Sequence, residues 1–230
     1  MEPARYLFHL RRELDAFGAC LHGELLLPVR HCGDWTLYDL ADHLGRGNLW
    51  AAAAVTERSG NHVADTALRD PAELVTWFQG TSTKLLNALN TDPSTEAWTF
   101  SPPHTVGFWQ RRRSLETLVH RWDAEHATGV DDRIDPALAS DGVAEVIDTF
   151  GPRQVKRGRL SSPQHAIHLL ATDTGSSWNL GTGAPLATAT ATAENLLLML
   201  WDRLPASDPA IKWEGDLDAG YSLLDAPLVP

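Results

Sequence analysis

The sequence of 230 residues lacks several features that define large classes of protein. It contains only two cysteines, Cys20 and Cys32, which are too few for a disulfide scaffold or a four-cysteine zinc site. No uninterrupted apolar run approaches the ~20 residues that a membrane-spanning helix needs. Charged residues between positions 11 and 15 also interrupt the layout of a signal peptide. We therefore expect a reduced, cytoplasmic protein with no membrane partner.

Positive charge is also scarce in this sequence. The 19 Lys and Arg residues face 30 Asp and Glu residues, so the formal net charge is −11 at neutral pH. Binding to nucleic acid requires a positive field along the phosphate backbone, and the charge balance argues against such a partner. We expect a small-molecule substrate instead, and either a monomer or a homodimer.

Histidine, by contrast, is abundant, with 10 residues, and tryptophan is frequent, with 9. A surplus of histidine in an acidic chain with little cysteine favours a metal site built from imidazole and carboxylate ligands. The sequence shows no glycine-rich phosphate loop, no serine-nucleophile elbow and no pair of catalytic aspartates. A metal centre is therefore the first chemistry to look for.

Hydrophobic spacing of three or four residues predicts helices in the first part of the chain. Start signals such as Thr36 with Asp39, and Asp70 before Pro71, support two of them. The predicted helices cover approximately residues 4–24, 37–58, 71–90, 108–128 and 136–150. Gly151 then breaks the pattern, and residues 153–163 are predicted to form a basic linker or loop.

Beyond this point the hydrophobic period changes to that of strands. Strands are predicted at residues 166–172, 177–180, 186–192 and 211–214, with helices at 194–204 and 217–224. Short connections between successive helices favour antiparallel neighbours. We therefore predict an α+β protein with two domains: an antiparallel four-helix bundle with one further helix over residues 1–152, and a small α/β domain over residues 153–230.

One set of residues in the predicted bundle could bind a metal. Glu116 and His120 lie four residues apart and project from the same helix face, and His43 lies midway along another helix. Bundles build metal sites from facing helices, and three protein ligands leave the open position typical of catalytic zinc sites. Asp123 could accept the second ring proton of His120. Taken singly, these residues also fit a solvated helix face or a partly buried histidine.

Other residues lie near this set in the predicted helices. Trp109 and Arg113 share a face with Glu116, and Arg113 could orient that carboxylate or bind an anionic ligand. Trp50 lies two turns beyond His43 on its own helix, although most tryptophans are expected in the core. Three further arginines are predicted to lie on the solvated surface: Arg111, Arg112 and Arg121.

Several blocks of this sequence resemble the mycothiol-dependent maleylpyruvate isomerase family, in the same order and at fitting distances. The two N-terminal blocks are Trp35–Leu44 (WTLYDLADHL) and Arg113–Glu125 (RSLETLVHRWDAE). The C-terminal blocks are residues 171–178, 194–203 and 214–216. The resemblance covers nearly the whole chain and implies a DinB-like helical bundle followed by a small sterol-carrier-like α/β domain.

The resemblance also implies a chemistry. It implies a divalent metal, normally Zn²⁺, at the positions of His43, Glu116 and His120, and mycothiol, the low-molecular-weight thiol of actinobacteria, as co-substrate. An open zinc position can lower the pKa of a bound thiol. We therefore expect an enzyme, either a mycothiol-dependent isomerase or a thiol S-transferase, whose catalytic residues are the three ligands and Asp123. Four residues are candidates for contacts with the thiol or substrate: Trp50, Trp109, Arg113 and Arg203.

Two other functions remain open from the sequence. The chain could be a non-catalytic protein of the same fold that binds a metal and a small ligand. It could also be a metal-dependent hydrolase that activates water in the open position, although Asp123 is the only candidate for a separate general base. The HRWDAE form of the metal-ligand helix is typical of a broad branch of the family, so maleylpyruvate itself is not the expected substrate.

Overall fold

A computed structural model of the protein describes residues 1–130, 133–161 and 163–230. These residues form eight α-helices, one π-helical turn and one four-stranded sheet, which confirms the predicted α+β class. The chain divides into two compact units, Met1–Asp132 and Arg133–Pro230. No helix among the described residues is long and apolar enough to cross a membrane.

The first unit is a group of four packed helices. They are α1 (Pro3–Cys20), α2 (Leu37–Thr56), α3 (Pro71–Leu89) and α4 (Val106–Thr128). The predicted start signals are present, because Thr36 and Asp39 form a reciprocal capping box and Asp70 caps α3. Gly129 ends α4 in a left-handed conformation with φ of 76°, which a glycine adopts without a Cβ penalty.

The core of this unit determines which helices face each other. Helix α1 packs on α4, and α2 packs on both α3 and α4. The contact between α2 and α4 joins the two helices that carry the predicted metal ligands. The interior is filled by fully buried apolar side chains that include Leu10, Phe17, Leu40, Leu44, Leu74 and Leu85.

The second unit combines helices with the sheet. Its helices are α5 (Pro136–Glu145), α6 (Gly151–Lys156), α7 (Ala193–Leu200) and α8 (Leu217–Leu224), with a π-helical turn at Val146–Phe150. Its strands are β1 (Ala166–Ala171), β2 (Ser177–Gly181), β3 (Pro185–Ala191) and β4 (Lys212–Gly215). The strand order is β2-β1-β3-β4. Strand β1 is antiparallel to β2 and parallel to β3, and β3 is antiparallel to β4.

The connection from β2 to β3 passes across one end of β1, because Ala166 pairs with both Gly181 and Pro185. This path brings Gly181 against the backbone just before β1. A Cβ on Gly181 would lie 2.2 Å from the carbonyl oxygen of His165. Gly181 also has φ of 103°, which side-chain-bearing residues rarely adopt. The sheet therefore requires glycine at this corner.

The position of α5 differs from the sequence-based expectation. The sequence placed this helix in the first domain, with the boundary after residue 152, whereas α5 belongs to the second compact unit and packs on α7. Leu138 and Val143 of α5 are fully buried, and burial of this apolar stripe accounts for the packing. Helix periodicity predicts an apolar stripe but not the surface that covers it.

The expected break at Gly151 and Pro152 is also absent. The chain continues through the π-helical turn into α6, where Pro152 lies in the first turn, the part of a helix that tolerates proline. Helix α6 thus occupies part of the predicted linker 153–163. Ser162, within that predicted linker, lies outside the described residues.

Candidate metal centre

Helices α2 and α4 bring three potential ligands together. One ligand atom from each of His43, Glu116 and His120 lies within 4.8 Å of the other two. The Nε2 atom of His43 is 3.5 Å from Oε1 of Glu116. The imidazole rings of His43 and His120 meet nearly edge to face, with centroids 5.2 Å apart and planes at 84°. The three residues selected from the sequence therefore form one cluster.

The chemistry and spacing of this cluster fit a divalent metal. Two imidazoles and one carboxylate are common donors to zinc, with bond lengths of ~2.0–2.2 Å. Two such donors on one tetrahedral ion lie about 3.4 Å apart, close to the 3.5 Å between His43 Nε2 and Glu116 Oε1. The side chains of His43, Glu116 and His120 are 42%, 19% and 10% exposed. The cluster is therefore most accessible at His43.

Two arginines hold the carboxylate of Glu116. Its Oε2 accepts hydrogen bonds from Nη1 of Arg113 at 2.9 Å and from Nη2 of Arg112 at 3.2 Å. Burial alone would raise the pKa of Glu116, but the positive charges of Arg113 and Arg112 outweigh this effect and hold the pKa well below its ordinary value. Glu116 therefore stays ionised, with Oε1 directed at His43 and Oε2 held by the arginines.

Arg113 is itself fixed by the facing helix. It is only 1% exposed, and its Nη2 donates to Oδ1 of Asn48 at 2.7 Å and to the carbonyl oxygen of Leu44 at 3.2 Å. Gly47 supplies the space for this group, because a Cβ there would lie 2.8 Å from Nη1 of Arg113. Arg113 thus links α2 to Glu116. Because its side chain is buried, it offers almost no surface to the ligand that was expected there.

His120 is held on its other side by Asp123. The Nδ1 atom of His120 lies 3.1 Å from Oδ2 of Asp123, whose side chain is fully buried. Burial lowers the pKa of His120 below its ordinary value, although the neighbouring carboxylate opposes this effect. A neutral imidazole that donates its Nδ1 proton to Asp123 keeps its lone pair on Nε2, as a metal ligand requires.

Cys32 also belongs to this region, although no sequence pattern predicts its position here. Its sulfur lies 3.6 Å from Oδ2 of Asp123, the same oxygen that contacts His120. Atoms of Cys32, His120 and Asp123 lie within 4.8 Å of one another. Cys32 and Asp123 are 91 positions apart, so periodicity and local spacing contain no signal for the contact.

Trp50 and Trp109 lie in an aromatic cluster rather than among the three ligands. Their rings meet edge to face with centroids 4.9 Å apart. The indole N–H of Trp109 donates to the carbonyl oxygen of Trp98, and that of Trp50 donates to Gly60. Trp109 is 1% exposed, so it packs in the core and has almost no surface for the expected cofactor contact. Trp50 is partly exposed and stays a candidate.

Two of the three arginines that were predicted to lie on the surface are buried, so the prediction is wrong for Arg112 and Arg121. Arg112 is 3% exposed and contacts Glu116. Arg121 is 2% exposed and lies between Glu13 of α1 and Glu125 of α4. Each arginine is buried because a carboxylate compensates its charge. The arginine-to-glutamate spacing of four residues along α4 was the available signal.

Arg203 lies in the second unit, just beyond α7. One of its guanidinium nitrogens donates to the carbonyl oxygen of Trp201 at 2.6 Å, and the guanidinium carbon is 5.9 Å from the centre of the Trp201 ring. These contacts orient the side chain within its own unit. Its expected contact with a substrate or thiol stays a prediction.

Comparison with known proteins gives a consistent assignment. The model of the mycothiol maleylpyruvate isomerase N-terminal domain matches residues 7–125, and the model of the MDMPI C-terminal domain matches residues 137–220. A crystal structure of the mycothiol-dependent maleylpyruvate isomerase matches with a TM-score of 0.70 and 13% identity, over 94% of this chain and 95% of that chain. A histidine-to-alanine mutant of that enzyme gives 0.69 and 12%, over the same shares of the two chains.

At such low identity the structural likeness shows the fold alone. Comparison with curated proteins finds no match. The two family models, however, span most of both compact units. The second model begins at residue 137, four residues after the second unit begins at Arg133. The match confirms the resemblance seen in the sequence, and the chain belongs to the mycothiol maleylpyruvate isomerase family.

Proposed function

We propose that this protein is a metal-dependent enzyme that uses mycothiol to isomerise or S-conjugate a small electrophilic substrate. The observation that carries the proposal is the convergence of His43, Glu116 and His120 from two helices. Family membership supports it, because the solved relative is described as a mycothiol-dependent maleylpyruvate isomerase. Zn²⁺ is the proposed metal, since two imidazoles and one carboxylate suit it.

The residues of this chain would prepare the site in three ways. Arg112 and Arg113 keep Glu116 ionised and turn Oε1 toward His43. Oδ2 of Asp123 lies 3.1 Å from Nδ1 of His120 and would favour the proton on that nitrogen. Three protein ligands leave one coordination position open. A divalent metal bound there would supply positive charge that lowers the pKa of a thiol in the open position.

The proposed reaction follows from thiolate chemistry. A mycothiol thiolate adds to one carbon of an activated carbon–carbon double bond, and the electron pair moves to the activating carbonyl group. Rotation about the new single bond, followed by loss of the thiolate, gives the geometric isomer and regenerates mycothiol. If the adduct instead takes up a proton and leaves, the product is an S-conjugate. Trp50 and Arg203 are the proposed contacts for the thiol or substrate.

Metal analysis tests the site directly. Wild-type protein should bind about one equivalent of Zn²⁺, and both Glu116→Gln and His120→Ala should lose most of it. His126→Ala is the matched control, because His126 is an exposed histidine on the same helix and should leave the metal content unchanged. Undiminished zinc in the Glu116 and His120 variants would refute the assignment.

A thermal-shift titration tests the co-substrate. Mycothiol at about 100 times its dissociation constant should raise the melting temperature of the zinc-loaded protein by roughly 5 to 10 °C. S-methylated mycothiol should give a smaller shift, because it cannot form a thiolate. Equal shifts with both compounds would contradict thiolate binding.

Turnover separates the proposed enzyme from the other functions. A panel of alkenes conjugated to carbonyl groups should show isomerisation or thiol consumption that requires zinc, mycothiol and Glu116. Retained ligand binding without turnover would favour a non-catalytic binding protein. Hydrolysis of esters or amides without any thiol would instead favour a metal-dependent hydrolase.

A further inference from the structure

The thiol of Cys32 touches the carboxylate that holds a proposed metal ligand. Its sulfur lies 3.6 Å from Oδ2 of Asp123, and the same oxygen lies 3.1 Å from Nδ1 of His120. A thiol is a weak hydrogen-bond donor and an ionised carboxylate is an acceptor only. The direction of the hydrogen bond is therefore from Cys32 to Asp123.

The loop before α2 fixes the position of this sulfur. The backbone N–H of Cys32 donates to the carbonyl oxygen of Val29 at 3.0 Å, and its carbonyl oxygen accepts from the N–H of Trp35 at 3.3 Å. The N–H of Val29 donates in turn to the carbonyl oxygen of Trp35 at 2.8 Å. The loop is thus closed on both sides of Cys32, and the thiol reaches Asp123 from a constrained backbone.

Two donors on one carboxylate oxygen restrict how that carboxylate can rotate. The Asp123 side chain is fully buried. Bulk water therefore cannot take the place of a lost hydrogen-bond donor, and its loss costs free energy. The orientation of Asp123 in turn determines whether His120 keeps its proton on Nδ1 and its lone pair on Nε2. Groups that hold a ligating histidine in this way commonly change metal affinity by ~10- to 100-fold.

We propose that Cys32 is a positioning residue of the metal centre, which donates its thiol proton to Asp123 and thereby holds His120 in the Nδ1-protonated form. The role of Cys32 at a metal centre rests on the proposed function, but its hydrogen bond to Asp123 can be measured in metal-free protein. Cys20 provides a matched control, because its thiol donates instead to the carbonyl oxygen of Ala16 within α1.

The first experiment is nitrogen NMR of histidine-labelled, metal-free protein, with the signals of His120 assigned by their loss in His120→Ala. The wild type should show the Nδ1-protonated tautomer, with slow solvent exchange of that proton. Cys32→Ala should populate the other tautomer and speed the exchange by ~2- to 10-fold, as expected for one hydrogen bond. Cys32→Ser should restore most of the wild-type behaviour, and Cys20→Ala should not alter it.

An unchanged His120 spectrum in folded Cys32→Ala would overturn the proposal. Failure of Cys32→Ser to restore the signal while Cys32→Ala perturbs it would also overturn it, because simple loss of packing would then explain the change. Circular dichroism of each variant establishes that the spectra compared come from folded protein.

The second experiment is a titration with Co²⁺, whose visible absorption reports its ligands. Cys32→Ala should bind Co²⁺ about 10-fold more weakly than the wild type, at the low end of such effects. No thiolate-to-cobalt charge-transfer band should appear. Such a band in the wild type, absent in Cys32→Ser, would make Cys32 a metal ligand and overturn the positioning role. If the wild type bound no metal, the proposed function would fail, while the NMR comparison would still decide the contact.

Discussion

Gly47→Ala tests the inferred link between α2 and the metal-centre carboxylate. By helix propensity alone, alanine inside a helix should stabilise the protein by ~1 kcal/mol relative to glycine. In this structure the new Cβ would lie 2.8 Å from Nη1 and 3.3 Å from Nη2 of Arg113. The guanidinium has little freedom to move, because it is buried and bonds to Leu44, Asn48 and Glu116.

Gly47→Ala should therefore destabilise the protein, although helix propensity alone predicts that it stabilises it. Overpacking a close contact costs ~1–3 kcal/mol, and a weakened hydrogen bond to a buried group adds ~1–3 kcal/mol. These costs exceed the propensity gain of ~1 kcal/mol. We expect Gly47→Ala to lower the free energy of unfolding by about 1–5 kcal/mol, and also to weaken Zn²⁺ binding because Arg113 holds Glu116.

Urea unfolding followed by far-ultraviolet circular dichroism measures the change, with shifts in midpoint compared at unchanged slope. Gly80→Ala in α3 is the matched control: a Cβ there meets nothing within 4 Å, so the propensity gain should appear. In an Arg113→Leu background, Gly47→Ala should become neutral or stabilising, with a coupling of at least ~1 kcal/mol. Stabilisation of the wild type by Gly47→Ala, equal to that from Gly80→Ala, would refute the reasoning.

Two further predictions concern other parts of the first unit. Hydrogen bonds from Thr36 lower the pKa of Asp39, so this capping contribution is present above about pH 4 and is lost as the pH falls through the folded-state pKa. Thr36→Ala should cost ~0.5–2 kcal/mol at pH 7, and a cost that did not shrink in acid-titrated urea unfolding would contradict the assignment. Arg121→Met should cost ~3–5 kcal/mol in the same urea assay, because it leaves Glu13 and Glu125 buried without their cation. A loss under ~1 kcal/mol would mean that these carboxylates are already solvated.

The predictable part of this fold is local. The helix starts at Thr36 and Asp70 follow from side chains that cap their own backbone within three residues. The same holds for the shared face of Glu116 and His120, because a spacing of four is a property of one helix. His43 required a further step, the assumption that its helix faces α4, and this came from the general way in which bundles build metal sites.

The part that could not be predicted depends on contacts between distant segments. Cys32 meets Asp123, and Arg121 meets Glu13, each across a long stretch of chain. No local pattern marks the contact of Cys32 with Asp123 or that of Arg121 with Glu13, because the two members of each pair do not lie on one helix. The placement of α5 failed for the same reason, because its apolar stripe is compatible with more than one partner.

The charged side chains of α4 around the proposed ligands are better explained by a role in metal binding than by a contribution to stability. Around the proposed ligands, the carboxylates of Glu116 and Asp123 balance the guanidiniums of Arg112 and Arg113. Hydrophobic residues of similar volume often stabilise a core as well as buried ion pairs do, so packing alone does not account for four charges here. A divalent cation would leave the balanced site with two positive charges. Anionic partners would reduce that excess, and a thiolate with an electron-poor substrate is the combination that the proposed function requires.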